Sequence, residues 1–472
     1  MRELDPGSES ELAAAQAPRP RHRRYRRVGL IAGPLALALV AGLAVGSAQG
    51  RHPAASGGGL RVSGHSGAAI QLIADSPNRD GTGAQGSQAA VTNSAAQVAV
   101  AEQTFALDLL RKVASAKPGS NVALSPSSLA IALAMLQTGA RGQTAAEIAH
   151  VLHTSGLSSA QQDAGWQAVM DVLTGAAGGS GLALESANSL WVQRGLTLAD
   201  PFMQAMSRYF RTGVWQVNFG SRASAEAAIN AWVQTQTHGK ITTLFDPGQL
   251  DPGTMLVLAN AVYFKARWRQ AFDAANTRPD TFHRADGTER TVDFLHEPLG
   301  GSGLSGVFTP GYQAVQIPYT GGRFAALAIM PYHQDLDHFV AGLSPTGLGT
   351  IVGTLTPIVQ SGEPLSLPKF TVADYTTLNT TLGALGMRRA FGSSADLGGL
   401  GVAGSVGTVA QRDYISVDES GTEAAAVTGI GVAMSAVAGP PPGLFDHPFL
   451  FLVRDTETGT ILFSTMVADP TG

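Results

Sequence analysis

Val417-Asp418-Glu419-Ser420-Gly421-Thr422-Glu423-Ala424-Ala425-Ala426-Val427-Thr428-Gly429-Ile430-Gly431-Val432-Ala433-Met434-Ser435-Ala436 is the run on which the fold of this chain turns. A strand-like Tyr414-Ile415-Ser416-Val417 leads in, and a strand-like Phe449-Leu450-Phe451-Leu452-Val453 leads out. Between them lie about thirty residues, several times the usual connection in a compact domain, and loops of that length are functional or disordered. A disordered linker is polar and charged. This one carries almost no charge after Glu423 and consists of Ala, Val, Thr, Gly and Ile. At period two, Thr422, Ala424, Ala426 and Thr428 share one face, and Glu423, Ala425, Val427 and Gly429 share the other. One face tolerates burial and the only carboxylate lies opposite. Such a segment can become a strand within an existing sheet.

The run Glu419 to Ala426, reading Glu-x-Gly-Thr-Glu-Ala-Ala-Ala, resembles the proximal hinge of the serpins. Further stretches carry the same likeness. Asn121–Leu152 resembles the segment that passes beneath the centre of the family's main sheet, with Asn121, Ser125 and Ser128 at its polar positions. Leu258–Trp268 resembles the strand pair in which an Asn, here Asn260, joins a buried polar cluster and a Trp, here Trp268, packs near the top of the sheet. Phe445–Val453 and Ile461–Ser464 are similar to the closing strands. The resemblance covers about Asn93 to Pro470. It implies an α+β serpin fold: a large central mixed β-sheet, further sheets, about eight to nine helices and an exposed reactive-centre loop.

Local signals agree with a globular domain over residues 92–472. Val98, Ala101, Phe105, Leu109 and Val113 recur at helical spacing, ended by Lys117-Pro118-Gly119. Ser125-Pro126 predicts a helix start with Ser125 as cap, and the run to Leu136 is apolar nearly all round, as in a buried helix. Thr144-Ala145-Ala146-Glu147 reads as a capping box. Ala187–Val192 is strand-like, and Ala225–His238 reads as an amphipathic helix ended by Gly239.

The N-terminus reads differently. Six arginines lie between Arg19 and Arg27, followed by the 18-residue apolar run Val28–Val45, about 27 Å as a helix. That length is at the lower limit for a span and slightly long for a signal-peptide core. Residues 1–27 are therefore expected as a basic cytoplasmic-side tail, 28–48 as a signal peptide or anchor, and 49–91 as a flexible Gly/Ser/Ala tether. An extracellular or cell-surface location, in a bacterial member of the family, is the expectation.

Composition narrows the function. With 472 residues, 44% hydrophobic and 14% charged, there is ample material for a core. A net charge of −4 makes no case for a nucleic-acid partner, and the lack of cysteine excludes disulfides, thiolate metal sites and cysteine nucleophiles. No Gly-x-Ser-x-Gly elbow, His-Glu-x-x-His or phosphate-binding Gly-rich loop occurs. His333, Asp335, Asp337 and His338 form the most metal-like group, and read better as a solvated loop. His150 and His153 read as helix-end residues. We expect no cofactor, no metal and no enzymatic activity.

What the resemblance implies is a suicide inhibitor of extracellular serine proteases. The loop is attacked as a substrate, an acyl-enzyme forms, and the freed N-terminal half inserts into the main sheet. Glu419 to Ser435 spans about 53 Å at 3.3 Å per residue, enough to carry a protease across a domain of this size. Counting from Glu419 as the family does places the reactive bond at Ser435–Ala436, or one residue earlier at Met434–Ser435. An uncharged residue there points to elastase, subtilisin or chymotrypsin-type targets, with the inhibitor a monomer. The hinge comprises Glu419, Gly421, Thr422, Glu423, Ala424, Ala425 and Ala426; control of sheet opening falls to Asn121, Ser125, Ser128, Asn260, Trp268 and Lys369, with Lys369 pairing with Glu419. Gln411 stands where many members carry a histidine, which leaves the hydrogen bonding of the polar cluster open. The alternative is a non-inhibitory binding or chaperone-like member, whose hinge would carry bulky, charged or proline residues.

Overall fold

A computed structural model of the chain describes residues 60–66, 69–74, 88–178, 182–298, 303–358, 364–422 and 442–472. In chain order the strands begin with β1 (Leu60–Ser66), β2 (Ala69–Ala74), β3 (Val122–Leu124), β4 (Leu182–Gln193), β5 (Val214–Val217) and β6 (Leu256–Arg267). They continue with β7 (Arg278–His283), β8 (Glu289–Pro298), β9 (Ser305–Phe308), β10 (Tyr312–Pro318), β11 (Phe324–Pro331) and β12 (Thr356–Pro357). The last six are β13 (Pro364–Pro368), β14 (Phe370–Thr377), β15 (Thr408–Val417), β16 (Gly421–Thr422), β17 (Phe449–Asp455) and β18 (Ile461–Val467). Nine α-helices accompany them among the described residues: α1 (Gln88–Ala116), α2 (Pro126–Gly139), α3 (Gly142–Val151), α4 (Ser159–Gly178) and α5 (Asp200–Tyr209), then α6 (Arg222–Gln236), α7 (Leu336–Gly342), α8 (Pro345–Gly353) and α9 (Asn379–Leu385).

The strands form an eight-stranded mixed sheet in the order β1-β2-β5-β4-β6-β16-β15-β14, a seven-stranded sheet β12-β9-β10-β11-β17-β18-β3, and a three-stranded sheet β13-β8-β7. The expected α+β fold, with one dominant mixed sheet and further sheets, is what the chain adopts. β6 lies at its centre and is buried from Leu256 to Phe264, as its continuous apolar run requires of a strand covered on both faces. α2, apolar almost all round, lies beneath and packs on β4, β6 and β18. On the opposite face, Trp191 stacks on Trp215 at 5.3 Å and meets Trp232 edge-on at 5.8 Å, tying α6 to the sheet.

Three local expectations are corrected. α2 does begin at Pro126, but the Ser125 hydroxyl does not cap it and donates instead to the Leu462 carbonyl at 2.7 Å. α3 begins at Gly142, two residues before the expected box. Thr144 Oγ1 accepts from Asp396 N at 2.9 Å, and Glu147 accepts the Arg388 and Arg389 N–H groups, each at 2.8 Å. Tertiary partners thus outbid the local cap. Within the expected tether, β1 (Leu60–Ser66) and β2 (Ala69–Ala74) pair antiparallel, and Ile70, Gln71 and Leu72 pair with Gln216, Trp215 and Val214 of β5. These few apolar residues cannot build a core, yet the sheet edge completes one for them. Gly213 permits the approach, since a Cβ there would lie 2.4 Å from the Leu72 carbonyl oxygen. The Val28–Val45 run lies outside the described residues. Among those described, no helix is long and apolar enough to cross a membrane.

Candidate functional site

The hinge enters the main sheet near the C-terminal end of β6. Gly421 and Thr422 make a two-residue strand, antiparallel to both neighbours, with Gly421 opposite Arg267, and Thr422 opposite Ala266 on one side and Val417 on the other. Below this point β6 and β15 pair directly and in parallel, from Val257 with Thr408 to Tyr263 with Tyr414. β16 is thus the start of a wedge in a seam that is otherwise closed.

Its fit explains the residue types. A Cβ on Gly421 would lie 1.9 Å from the Ala266 carbonyl oxygen, so any larger residue displaces the strand. Thr422 is fully buried, and its hydroxyl bonds the Tyr319 hydroxyl at 2.7 Å. The Tyr319 ring stacks on Trp268 at 4.6 Å and 7°. Trp268 in turn donates its indole N–H to the Asp418 carbonyl at 2.9 Å and its backbone N–H to Ser420 O at 3.0 Å. Asp418 turns the chain, accepting from Ser420 N at 2.9 Å and Gly421 N at 3.3 Å; burial nevertheless pushes its carboxyl above the usual range.

Glu419 and Lys369 are brought together at 3.0 Å, each side chain 14% exposed. Thr277 Oγ1 donates to the same carboxylate oxygen at 2.8 Å, and Phe272 N donates to the Glu419 carbonyl at 2.8 Å. Burial raises the Glu419 carboxyl, but its own backbone N–H, Thr277 and Lys369 outweigh that and hold it below the ordinary carboxylate range.

The polar cluster lies further down the seam. Asn260 Nδ2 donates to Ser128 Oγ at 2.7 Å and also bonds Asn188 Oδ1, to which Ser128 Oγ donates at 2.9 Å. Gln411 closes the group from β15, its Nε2 donating to Asn260 Oδ1 at 2.7 Å and to the Ser125 carbonyl at 2.8 Å. The glutamine thereby bridges β15, β6 and the start of α2. Its Oε1 is buried and has no partner among the described residues, as does Asp413 Oδ1 two residues on. Burial, together with Asp374 opposite it on β14, drives the Asp413 carboxyl well up. Ser125 thus joins the cluster through its carbonyl. Asn121 does not join: its amide binds Ala468 N at 2.7 Å and Asp469 N at 2.9 Å and donates to Asp469 O at 2.7 Å, fastening the C-terminus.

Sequence reasoning missed Asn188 and Tyr319. An Asn in a strand, or a Tyr after a Pro, carries no local signal; only cross-strand register puts Asn188 opposite Asn260. Glu423, Ala424, Ala425, Ala426, Met434, Ser435 and Ala436 lie outside the described residues. Asp335 caps α7 by accepting from His338 N at 2.6 Å, Asp337 accepts from Gly119 N at 2.7 Å, and His153 bonds Asp108 at 2.8 Å. These side chains serve turns and helix ends.

A family model described as "Serpin (serine protease inhibitor)" matches residues 100–470. An uncharacterized serpin-like protein of Thermococcus kodakarensis is 36% identical over 376 residues, covering 78% of this chain and 84% of that protein. Human neuroserpin is 31% identical over 377 residues, covering 78% and 90% respectively. Among solved structures, human glycosylated kallistatin aligns with a TM-score of 0.71 at 26% identity, covering 80% of this chain and 99% of that one. A thyroxine-binding globulin complex with thyroxine aligns at 0.69 and 26%, covering 79% and 99%.

Proposed function

The chain belongs to the serpin family, and from that premise we propose that it inhibits extracellular serine endopeptidases of the elastase, subtilisin or chymotrypsin type by loop cleavage, acyl-enzyme trapping and strand insertion. Members of the family are mostly protease inhibitors rather than enzymes, and are commonly extracellular. The arginine-rich run before the apolar Val28–Val45 stretch of the sequence supports export here.

The observation that carries the reading is β16, already seated between β6 and β15. Carried forward, its register sets Ala424 opposite Ile415 and Phe264, Ala426 opposite Asp413 and Val262, and Thr428 opposite Gln411 and Asn260. The inward face of the entering strand would then be Thr, Ala, Ala, Thr, side chains small enough to be buried once β6 and β15 part. A bulky or charged side chain at those positions would be desolvated at a cost of several kcal/mol. In that register Thr428 would bring a hydroxyl toward Gln411 Oε1, which has no donor among the described residues. Insertion would part β6 from β15, break the Gln411–Asn260 bond and replace their one parallel ladder with two antiparallel ones, a net gain of one ladder.

The binding-protein alternative has the thyroxine-binding globulin likeness behind it, but the inward-facing positions Thr422, Ala424, Ala426 and Thr428 carry none of the bulky, charged or proline residues that would block entry. Incubation with elastase, chymotrypsin, subtilisin and trypsin tests the choice. The expected result is a complex that survives denaturing gel electrophoresis with at least one of the first three, and release of a C-terminal peptide starting at Ala436 or Ser435. Cleavage only at arginine, with no stable complex, would overturn it.

A further inference from the structure

The loop has a second attachment, past its C-terminal end, to Gln313 of β10 in the seven-stranded sheet and to Ser366 of β13 in the three-stranded sheet. Gly443 N donates to Gln313 Oε1 at 2.8 Å, and the Gln313 amide donates back to the Leu444 carbonyl. Ser366 of β13 grips the same segment through its backbone, donating to Gly443 O at 2.8 Å and accepting from Phe445 N at 2.9 Å. Four hydrogen bonds therefore hold three residues, and two of the four belong to Ser366.

The Ser366 side chain is held by a histidine. His296 of β8, 4% exposed, places Nδ1 2.8 Å from Ser366 Oγ, while Nε2 is buried with no hydrogen-bond partner among the described residues. A neutral imidazole suits this site, with Nδ1–H donating to the hydroxyl and a bare, buried Nε2. A protonated one does not, because the new Nε2–H has nothing to donate to and the charge is desolvated.

We propose that His296 is an acid sensor: its protonation pushes the ring out against Ser366 and releases Pro442–Phe445 from the three-stranded sheet, giving the loop slack at its far end. The groups around it do not offset this. From β7, Arg278 opposes the charge and Asp280 favours it; β13 (Pro364–Pro368) has no ionisable side chain. Asp446 and His447 lie just past the released segment, pair with each other at 2.8 Å and stay on β7, where His283 N donates to the Asp446 carbonyl at 2.8 Å, so they are common to the held and released forms.

The sign follows from linkage. Burial, then Arg278, lowers the held imidazole to about 4, whereas a released, hydrated histidine titrates near its ordinary 6.5. Release is therefore favoured as pH falls below 6.5 and the gain saturates near 4. Between pH 7.5 and pH 5.0 the opening equilibrium should rise on the order of 30-fold. This inference concerns the anchorage alone and stands whether or not the chain inhibits a protease.

Hydrogen exchange on the full-length chain tests it, with rates corrected for intrinsic pH dependence. The amides of Ser366 and Phe445, which donate the two bonds lost with Ser366, should open about 30-fold more at pH 5.0 than at pH 7.5, while those of Leu450–Val453 in β17 stay level. His296→Gln keeps a hydrogen bond to Ser366 and cannot titrate, so its ratio should fall to near one. An unchanged ratio in His296→Gln would overturn the sensor. Without that variant, two results on the unmodified chain would do the same: flat exchange between the two pH values, or parallel opening of Leu450–Val453.

Discussion

The bond between Thr422 and Tyr319 makes a quantitative test of how the hinge is seated. Both side chains are fully buried and their hydroxyls are 2.7 Å apart. Burial pushes the Tyr319 phenol far above its usual range, so the pair stays neutral at any working pH. Tyr319→Phe keeps the ring stacked on Trp268 and removes one hydroxyl, stranding the other. Thr422→Val keeps the shape and strands the Tyr319 hydroxyl instead. Each single change should cost about 1–3 kcal/mol, the penalty of an unsatisfied buried polar group. The double variant strands nothing and forfeits only the net worth of the bond, about 1 kcal/mol, where adding two mid-range singles gives roughly 4. The assay is the urea midpoint of wild type, both singles and the double, compared at a common slope. Additive losses would refute the reasoning, because they would mean the two hydroxyls do not satisfy each other.

Two further predictions concern charge. Glu419→Lys sets two ammonium groups face to face beside Thr277; the half-screened pair should be replaced by a deficit of about 2–4 kcal/mol, and native gels should show self-associated species. A variant that stays monomeric with a wild-type urea midpoint would count against a role for the pair in closing the sheet. Glu102 of α1 is fully buried, with one oxygen accepting from Ile461 N at 3.1 Å and the other without a partner among the described residues. Burial raises its carboxyl from 4.5 to about 8, against the opposing Ile461 hydrogen bond. The folded form thus holds a proton the unfolded form has lost, and its stabilisation, full below 4.5, falls away up to pH 8 by at most about 1.4 kcal/mol per pH unit. Glu102→Gln should flatten that slope and leave the protein more stable than wild type at pH 8, as urea midpoints at pH 5, 6.5 and 8 would show.

How much of this could be read from the residues depends on how local each signal is. That the overlong loop could become a strand was legible because small residues at period two are a property of one contiguous run, whereas its reading as a hinge came from the family resemblance. Lys369 and Asn260 were reachable only through the family resemblance, since partners 50 and 151 residues apart in sequence (Lys369 with Glu419, Asn260 with Gln411) share no local pattern. Asn188 and Tyr319 were missed for the same reason. The Ser125 and Thr144 caps failed where the sequence offered good local chemistry, because a carbonyl of β18 and the backbone of Asp396 were better placed than the helix start. The β1–β2 pair was misread because a Gly-rich composition describes what a segment can do alone, and this one is completed by an edge strand it cannot see.

The position of Trp268 has a practical result. Of the five tryptophans, Trp191, Trp215 and Trp232 cluster on the α6 side of the sheet and Trp166 sits in the core under α4, whereas Trp268 lies against Tyr319, with its indole nitrogen bonded to the chain just ahead of β16. Any movement of the entering strand changes the polarity and stacking around that one fluorophore. Under the proposed mechanism the protein would carry its own optical gauge, and a stopped-flow trace of its emission on mixing with a protease would time strand entry without an added label.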